Sequence, residues 1–597
     1  MKNFKIAIAT IATSFIVLGS CKKEGSTNTT PTDQNTTTPP VVNTDIQTTP
    51  TGPVTVGADP AVAPTQGFFL NNWAAKTFTV PTSTTTVTKP SPNGAVNVDV
   101  DLSQVITKVS TNIYGNNTNP FMGQYVTEPA LMNNIKSLNP HILRAPGGSL
   151  SDVYFWNGDG NGGVVAPADA PGTLLNSSGA GSAAGYWFGT NTQSWTFSLA
   201  NYYTVLQQTN NTGLITVNYG YARYGTSPHP AQVAAHLAAN WVRYDNGRTQ
   251  YWEVGNENYG NWEAGYLIDT HLNQDNQPQL LTGTLYGVHF KIFADSMRAA
   301  AAQVGNANIK IGMVLTSSND VNNNAGVTNW NATALSAVGN NADFFVVHNY
   351  YTPYNENSTV STVLSTPAPG TSGVMQWVKT SVQNAGVIQK PVALDEYNIQ
   401  AVGGQQNVSN IAGVHAVMVL GEALKDQYSM AARWDLANGW ANGDDQGLFN
   451  IGDEPNGVTK WNPRPAFYYL YFFQNYIGDR LVGSTVSGST DIVSYASSFT
   501  SGQAGVILVN QGSTSHVVNV NFKNFVPGTN YYYYTLTGGT DNFPFSRKVT
   551  VNGAGPSNGV AGGPDTFATI APSASPIKGG ITVTIAPYSV VFLVADK

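Results

Sequence analysis

Short apolar runs alternate with longer segments of helical period from about Lys108 to Tyr476. Eight runs have the length and composition of strands: Val109–Tyr114, His141–Arg144, Leu214–Asn218, Tyr251–Gly255, Ile309–Leu315, Asp343–His348, Pro391–Glu396 and Met430–Asp435. Apolar residues recur at helical spacing between them, in Glu128–Ser137, Ala231–Tyr244, Leu285–Val304, Gly373–Ala385, Ile411–Gln427 and Pro463–Tyr476. Buried strands that alternate with amphipathic helices are typical of parallel α/β folds.

Eight strands that are each followed by a helix predict a (β/α)8 TIM barrel. The alternative is a doubly wound open sheet, which normally carries a glycine-rich phosphate loop after its first strand. Tyr114–Asn117 does not have that composition. The fold class that we predict is therefore α/β, with the barrel over residues 108–478.

The two ends of the chain differ from this central region. Leu481–Lys597 contains only short alternating strands separated by Gly, Ser and Asn turns, which predicts a β-sandwich over residues 479–597. Gly67–Leu102 also alternates, so we expect an N-terminal β segment, residues 66–107, to join that sandwich. A chain of 597 residues exceeds what one hydrophobic core supports, which agrees with several domains.

The N-terminus has the pattern of an export signal, in residues 1–20. Lys2 and Lys5 precede the apolar Ile6–Leu18, and Cys21 is the single cysteine of the chain. Leu18–Cys21 resembles a bacterial lipobox, which implies a lipoprotein signal peptide, lipidation of Cys21 and a location on the bacterial outer membrane or cell surface. The alternative is an ordinary signal peptide with a chance cysteine. Residues 21–65, rich in Thr, Pro and Asn, predict a flexible tether, so the lipid anchor is the only membrane contact that we expect.

Composition restricts the partners of the chain. Charged residues make up 10%, aromatic residues 11%, and the net charge is −7, so nucleic acid is not an expected partner. Few charges and many aromatic rings suit a protein that handles neutral polysaccharides or oligosaccharides. Asn157–Gly162 imitates the oxygen spacing of a calcium loop, but Ala168 stands where a bidentate acid is needed. We therefore expect no metal and no cofactor.

Two glutamates end predicted strands. Glu257 follows the fourth strand and Glu396 ends the seventh, and these strands lie roughly opposite each other across a barrel mouth. Retaining glycosidases need two carboxyl groups about 5 Å apart, one as acid/base and one as nucleophile. We expect the anionic nucleophile to raise the pKa of its neighbour.

Several motifs in this order resemble those of clan-A retaining glycoside hydrolases, in particular the α-L-arabinofuranosidase branch and its endoglycanase relatives. They are Leu143–Ser149, Val217–Gly220, Asn256–Glu257, Val347–Tyr350 and Ala393–Asn398. The resemblance implies that Glu257 is the acid/base and Glu396 the nucleophile. It also implies a substrate-binding set, which consists of Asn256, Arg144, Asn218, His348, Tyr350 and Trp434.

Individual roles follow from the same resemblance. Asn256 would bind the sugar 2-hydroxyl, while Arg144 and Tyr350 would hold Glu396 ionised and aimed. His348 would line the subsite of the cleaved sugar, and Trp434 would form its floor. Glu253 is not included in the site, because the sequence leaves open whether its side chain points into the barrel.

The sequence also bears on the substrate. Tyr397 and Asn258 replace the Trp and Met that arabinofuranosidases usually carry. A long loop, Gly158–Ser194, lies beside Trp156 and Trp195 and itself carries Tyr186 and Trp187; with Trp262, these are candidates for extended sugar subsites. These features favour an endo-β-glycanase, with an α-L-arabinofuranosidase as the alternative. A hypothesis of another class is a non-catalytic, glycan-binding surface lipoprotein.

Overall fold

The computed structural model of the chain describes residues 53–160, 165–318 and 329–597. The predicted signal peptide, Cys21 and most of the predicted tether lie outside these ranges, as does the end of the calcium-like loop. Within them, the helices are all too short or too polar to cross a membrane. The barrel and the sandwich belong to one compact unit.

Eight parallel strands close into a barrel, in which the last strand pairs with the first. In chain order the barrel strands are Gly115–Asn117, Ile142–Ala145, Thr212–Val217, Tyr251–Val254, Lys310–Val314, Phe344–Tyr350, Val392–Asn398 and Met430–Arg433. The predicted fold class, a (β/α)8 barrel with a C-terminal β-rich domain, is confirmed.

A main helix follows each barrel strand. These helices are Pro129–Leu138, Leu199–Thr209, Pro230–Asp245, Gly283–Gln303, Trp330–Val338, Pro367–Ala385, Asn410–Lys425 and Pro465–Tyr476, and Tyr221–Tyr224 and Val360–Ser365 are short additional helices. Proline begins four of the main helices, where its missing N–H has no helical partner to lose. Side-chain oxygens of Ser198 and Thr282 cap two others by accepting from backbone N–H groups.

The predicted first strand, Val109–Tyr114, is wrong. Most of it forms a 3-10 turn, Thr111–Tyr114, because the Ser110 hydroxyl accepts from the backbone N–H of Asn112 and starts the turn. The strand begins only at Gly115, where a side chain would lie 2.6 Å from the carbonyl oxygen of Ala431. This close approach of two backbones requires glycine.

Eleven strands form the second sheet. They are Thr85–Thr86, Val96–Lys108, Arg480–Ser487, Ile492–Ser498, Ala504–Asn510, His516–Lys523, Asn530–Gly538, Val549–Val551, Ser573–Pro576, Ile581–Ile585 and Ser589–Ala595. Val96–Lys108 lies between Arg480–Ser487, to which it is antiparallel, and His516–Lys523, to which it is parallel. The chain therefore starts the sheet before the barrel and completes it afterwards.

The predicted flexible tether extends too far along the chain, because its last residues contact the sandwich. Within its last residues, the backbone N–H of Thr55 donates to Asn524 Oδ1 at 3.1 Å. Asp59 pairs with Arg480 and, at 3.2 Å, with Lys108. These contacts hold the part from residue 53 against the sandwich, and the tether prediction is wrong there.

Phe69 closes the N-terminal end of the barrel. It belongs to the 3-10 turn Gly67–Leu70, where β structure was expected, and its side chain is 2% exposed. Its ring stacks on Tyr251 with centroids 4.7 Å apart and meets Phe344 edge-on at 5.6 Å. Both partners start barrel strands, so the N-terminal segment seals the end opposite the strand C-termini.

Phe69→Ala should therefore lower the free energy of unfolding by about 3 kcal/mol, because it removes a buried ring and leaves a cavity. Urea unfolding followed by fluorescence measures the change. Phe543→Ala is the control, since Phe543 is 60% exposed and its loss should change stability by less than about 0.5 kcal/mol. Equal effects of the two substitutions would contradict the assigned role of Phe69.

Candidate active site

The two predicted catalytic glutamates meet at the C-terminal end of the barrel. Glu396 lies in the seventh strand, and Glu257 lies three residues beyond the end of the fourth. One oxygen of each carboxylate and a ring nitrogen of His348 lie within 4.8 Å of one another. Two carboxyl groups at this separation can act on one sugar ring, as a retaining mechanism requires.

Arg144 joins the charged groups of the site. Its guanidinium is fully buried and contacts Glu396 Oε2 at 2.9 Å, Glu253 Oε2 at 2.8 Å and Asp395 Oδ2 at 3.4 Å. It also donates to Asn256 Oδ1 at 2.8 Å. A buried cation is stable only when it is paired and hydrogen-bonded, and here several acceptors surround it.

Glu396 receives a donor on each oxygen. Tyr350 donates its hydroxyl to Oε1 at 2.7 Å, and Arg144 donates to Oε2. Burial raises the pKa of Glu396, while the charges of His348 and Arg144 oppose that shift. These contacts fix the carboxylate in position, as expected for Arg144 and Tyr350, but burial prevails over them and the pKa of Glu396 is raised, not lowered.

His348 lies between acidic groups on both sides. Its Nδ1 is 2.8 Å from Glu257 Oε1, and its Nε2 is 3.2 Å from Asp395 Oδ1. Burial lowers the pKa of His348, but Glu396, Asp395 and Glu257 outweigh burial and raise this pKa well above its ordinary value. These carboxylates favour the charged imidazolium, whose Nδ1 donates to Glu257, while Nε2 lies beside Asp395 without forming a hydrogen bond to it.

This imidazolium changes the expected electrostatics of Glu257. Burial raises the pKa of Glu257, but the hydrogen bond and charge of His348, the hydrogen bond from Trp262 and the charge of Arg144 together outweigh burial, and the pKa is lowered. The expectation that the neighbouring anion would raise this pKa is wrong, because it left out the intervening cation. In the resting site the proton lies on His348 Nδ1, within one hydrogen bond of Glu257.

Trp262 holds the other oxygen of Glu257. Its indole N–H donates to Oε2 at 2.9 Å, while the side chain is 40% exposed. The backbone of Glu257 has a left-handed φ of 41°, which is uncommon for a non-glycine residue. His348 and Trp262 together compensate this strained turn and orient the carboxylate.

Glu253 and Asp395 belong to the site although the sequence did not assign them to it. Glu253 accepts from Arg144 and, at 2.8 Å, from Thr216 Oγ1, and burial raises its pKa to about 7. Strand alternation could have placed Glu253 inside the barrel. Tyr251, two residues earlier, packs inside the barrel, whereas Trp252 and Val254 pack against the helices. Asp395 gave no such signal, since the strand pairing shifts register around it.

Asn256 and Trp434 lie at the edges of the cluster. Asn256 accepts from Arg144 and donates from Nδ2 to Glu263 Oε1 at 3.0 Å. The half-buried Trp434 packs over Gly148, where an added Cβ would lie 2.4 Å from the indole ring. The glycine after the second strand is thus required by the position of this ring.

Asn218 is engaged elsewhere. Its Nδ2 donates to the Tyr224 hydroxyl at 3.1 Å and to the Tyr154 carbonyl at 3.3 Å, and its Oδ1 accepts from the backbone N–H of Tyr221. These contacts order the loop after the third strand. They tie Asn218 to that loop rather than to the two catalytic candidates.

The aromatic candidates divide into two groups. Trp156 donates to the Leu237 carbonyl and stacks on Trp241, so it fixes its loop to a barrel helix. Trp195 is 54% exposed and meets Trp187 edge-on, with centroids 5.6 Å apart. Open aromatic faces of this kind are suited to stacking on sugar rings.

The carboxylates of the cluster already have cationic partners. Two groups among the described residues have ligand-type atoms within 4.8 Å of one another: Glu253, His348 and Asp395, and Glu257, His348 and Glu396. Arg144 contacts Glu253 and Asp395, and His348 contacts Glu257. These side chains supply the compensating charge that a metal ion would otherwise supply.

Comparison with solved structures supports the fold. The α-L-arabinofuranosidase of Thermotoga maritima in its arabinose complex aligns with a TM-score of 0.57 at 16% identity, over 84% of this chain and 99% of the other. The GH51 enzyme of Thermotoga petrophila RKU-1 gives 0.59 at 17%, over 84% and 100%. A GH family 44 xyloglucanase of Paenibacillus polymyxa gives 0.52 at 12%, over 84% and 99%. No protein-family model and no curated protein sequence matches the chain.

His348 should remain protonated well above pH 7. Because its folded pKa is raised, the stability that it contributes is complete below about pH 6.5 and is lost as the pH rises through the folded value. NMR of protein labelled with 15N-histidine measures this titration, and the His348→Asn spectrum assigns the signal.

His289 is the matched control, since burial lowers its pKa to about 3 and it should stay neutral throughout. A His348 signal that changes from charged to neutral at or below pH 6.5 would contradict the assigned pair with Glu257.

Proposed function

We propose that this protein is a retaining glycoside hydrolase that cleaves an extracellular polysaccharide by a two-glutamate double displacement. The observation that supports it most is the pair Glu257 and Glu396, with carboxylate oxygens within 4.8 Å of each other and with different donors on each. Glu396 is fixed by a guanidinium and a phenol, as an attacking anion needs. Glu257 is within hydrogen-bond reach of a charged imidazole, which can supply a proton.

In the first step, Glu396 attacks the anomeric carbon while the bond to the leaving oxygen breaks. Glu257 gives that oxygen a proton, and His348 Nδ1 supplies the proton to Glu257 across their 2.8 Å hydrogen bond. A covalent glycosyl-enzyme results. Arg144 and Tyr350 reduce the charge on Glu396 before attack and hold its other oxygen afterwards.

In the second step, a water molecule enters on the side that the leaving group vacated. Glu257 takes a proton from the water as its oxygen attacks the anomeric carbon, and the bond to Glu396 breaks. Glu257 then returns the proton to His348 Nδ1, which restores the starting state. The product keeps the configuration of the substrate because two displacements occur. Asn256, held between Arg144 and Glu263, is positioned to donate to a hydroxyl of the sugar.

We favour endo action on a β-linked chain polymer. Trp262 donates to the acid/base and leaves 40% of its side chain exposed, so an aromatic face lies beside the group that protonates the leaving oxygen. Such a face can stack on a sugar unit beyond the cleaved bond. Tyr397, which occupies the position where arabinofuranosidases usually have Trp, is buried in the core behind the strand.

The second candidate activity is that of an α-L-arabinofuranosidase. The two arabinofuranosidases named above have slightly higher TM-scores than the xyloglucanase, which favours this alternative. A panel of polysaccharides and aryl glycosides, with products sized by chromatography, decides between the two. Internal cleavage into oligosaccharides supports endo action, whereas release of single arabinose units supports the alternative.

Glu257→Gln should reduce turnover at least about a hundredfold and Glu396→Gln at least about a thousandfold, because each removes a proton-transfer or nucleophilic group without changing shape. Initial rates on the best substrate of the panel measure the effect. Glu356→Gln is the control, since Glu356 lies exposed on a loop and should keep full activity.

Azide separates the two roles. It should restore turnover to Glu396→Ala with inverted product, because a small anion replaces the missing nucleophile, and it should give Glu257→Ala a product of unchanged configuration. Full activity in either glutamine variant would refute the catalytic role of that glutamate, whereas glycan binding without activity on any substrate of the panel would favour a non-catalytic glycan-binding protein.

We propose further that the protein is a lipoprotein of the bacterial outer membrane or cell surface. This rests on the single cysteine, Cys21, after an apolar N-terminal run. Cells fed a labelled fatty acid should incorporate it into the wild type and not into Cys21→Ser, which should leave the membrane fraction. Equal membrane retention of both proteins would contradict lipidation.

A further inference from the structure

A second pair of buried carboxyl groups lies behind Asn256. Asp152 follows the second barrel strand and is fully buried, and Glu263 follows the fourth and is 3% exposed. The reaction described above uses neither group directly. The two carboxyl groups accept hydrogen bonds on different numbers of their oxygens, and this difference indicates which group carries a proton.

Asp152 is surrounded by donors. The backbone N–H groups of Gly220 and Tyr219 donate to Oδ1 at 2.9 and 3.1 Å. The Asn258 side chain donates to Oδ2 at 2.7 Å, and the backbone N–H of Asn256 approaches the same oxygen at 3.4 Å. Burial raises the pKa of Asp152 to about 7, and the four N–H donors on its two oxygens oppose this shift by stabilising the ionised form.

Glu263 has donors on one oxygen only. Its Oε1 accepts from Ser149 Oγ at 2.7 Å and from Asn256 Nδ2 at 3.0 Å. Its Oε2 is buried and has no hydrogen-bond partner. A buried anionic oxygen without a donor is strongly disfavoured, whereas a protonated carboxyl group carries no charge to compensate.

The charged neighbours favour the same state. Asp152 and Glu257 face Glu263, and after burial they are the main causes that raise its pKa. Tyr259 also faces it, and Arg144 lies beyond Asn256, to which it donates. Two carboxylates thus face Glu263, whereas Arg144 is separated from it by the Asn256 side chain and the charge of His348 is paired with Glu257 and Asp395.

We propose that Glu263 is a positioning residue that acts as a neutral carboxylic acid and fixes the amide of Asn256. Arg144 holds Oδ1 of that amide and Glu263 holds one hydrogen of Nδ2, so the second hydrogen remains for the substrate. The part of this proposal that concerns substrate rests on the proposed glycosidase function. An ionised Glu263 would add a third anion beside Asp152 and Glu257.

The kinetic test compares Glu263→Gln with Glu263→Ala. Glutamine copies the neutral acid in shape and charge, so it should restore most of the kcat/KM that alanine loses, with an alanine loss of about tenfold or more. In an Asn256→Ala background, Glu263→Ala should cause no further loss, because its effect acts through Asn256. Equal losses in the two variants, or additive losses with Asn256→Ala, would overturn the positioning role.

The stability test needs no activity. A glutamate with a raised folded pKa stabilises the fold fully below its unfolded value of about 4.3, and this stabilisation is lost as the pH rises through the folded pKa. The Tm of the wild type should therefore fall relative to that of Glu263→Gln as the pH rises from 4. A Tm difference that is constant with pH, or of opposite trend, would overturn the neutral state.

The two tests also separate this proposal from the proposed function. If Glu396→Gln were fully active, the glycosidase assignment would fail, yet the pH dependence of Tm would still decide whether Glu263 is neutral. If Glu263→Ala failed to fold, the Tm series and the kcat/KM of Glu263→Gln would carry the test. In that case, a glutamine variant with less than about a tenth of wild-type kcat/KM would overturn the positioning role.

Discussion

The buried guanidinium of Arg144 is the interaction on which the rest of the site depends. It contacts Glu396, Glu253 and Asp395, three carboxyl groups contributed by two different barrel strands. Without a cation among them, these groups could not be ionised together at such distances in a buried site. The two terminal nitrogens of this guanidinium donate to Glu396 and to Asn256, so Arg144 sets the positions of both side chains. Arg144 alone therefore sets both the positions of these side chains and the balance of charge around them.

Charge balance explains why the pKa of Glu257, the proposed acid/base, is lowered. Arg144 and His348 supply two positive charges to four carboxyl groups, Glu253, Asp395, Glu257 and Glu396. Burial raises the pKa of Glu253 to about 7, which reduces the net negative charge near neutral pH. In the proposed mechanism, His348 retains the proton that Glu257 needs. This proton passes through Glu257 to the leaving oxygen of the substrate as that oxygen becomes more basic. In the proposed mechanism, the proton donor is thus the pair of Glu257 and His348 rather than one glutamate.

The sequence was enough to predict the fold and to name Glu257 and Glu396 as catalytic candidates, but not the carboxyl groups around them. Periodicity located seven of the eight strands closely, and the first was missed because Ser110 starts a turn within an apolar run. Glu257 and Glu396 were recognisable because each lies at the C-terminal end of a predicted strand. Glu253, Asp395 and Glu263 were not, because their roles depend on strand facing, on a register shift and on a partner distant in sequence. Asn218 was assigned to the site from its position in a motif, but the motif does not reveal that its side chain bonds to Tyr224.

The β-sandwich acts on the site through the loop that follows the eighth strand. Glu454 in that loop is fixed by Arg464 of the barrel at 3.2 Å and by Arg547 of the sandwich at 2.8 Å. Arg464 also pairs with Asp445 at 2.7 Å, and the next residue, Gln446, accepts through its carbonyl from Arg433 and Asn398. Asn398 in turn donates to the carbonyl of Trp434, which connects the sandwich to the ring over Gly148. A chain of polar contacts therefore leads from the sandwich to Trp434 at the C-terminal end of the barrel.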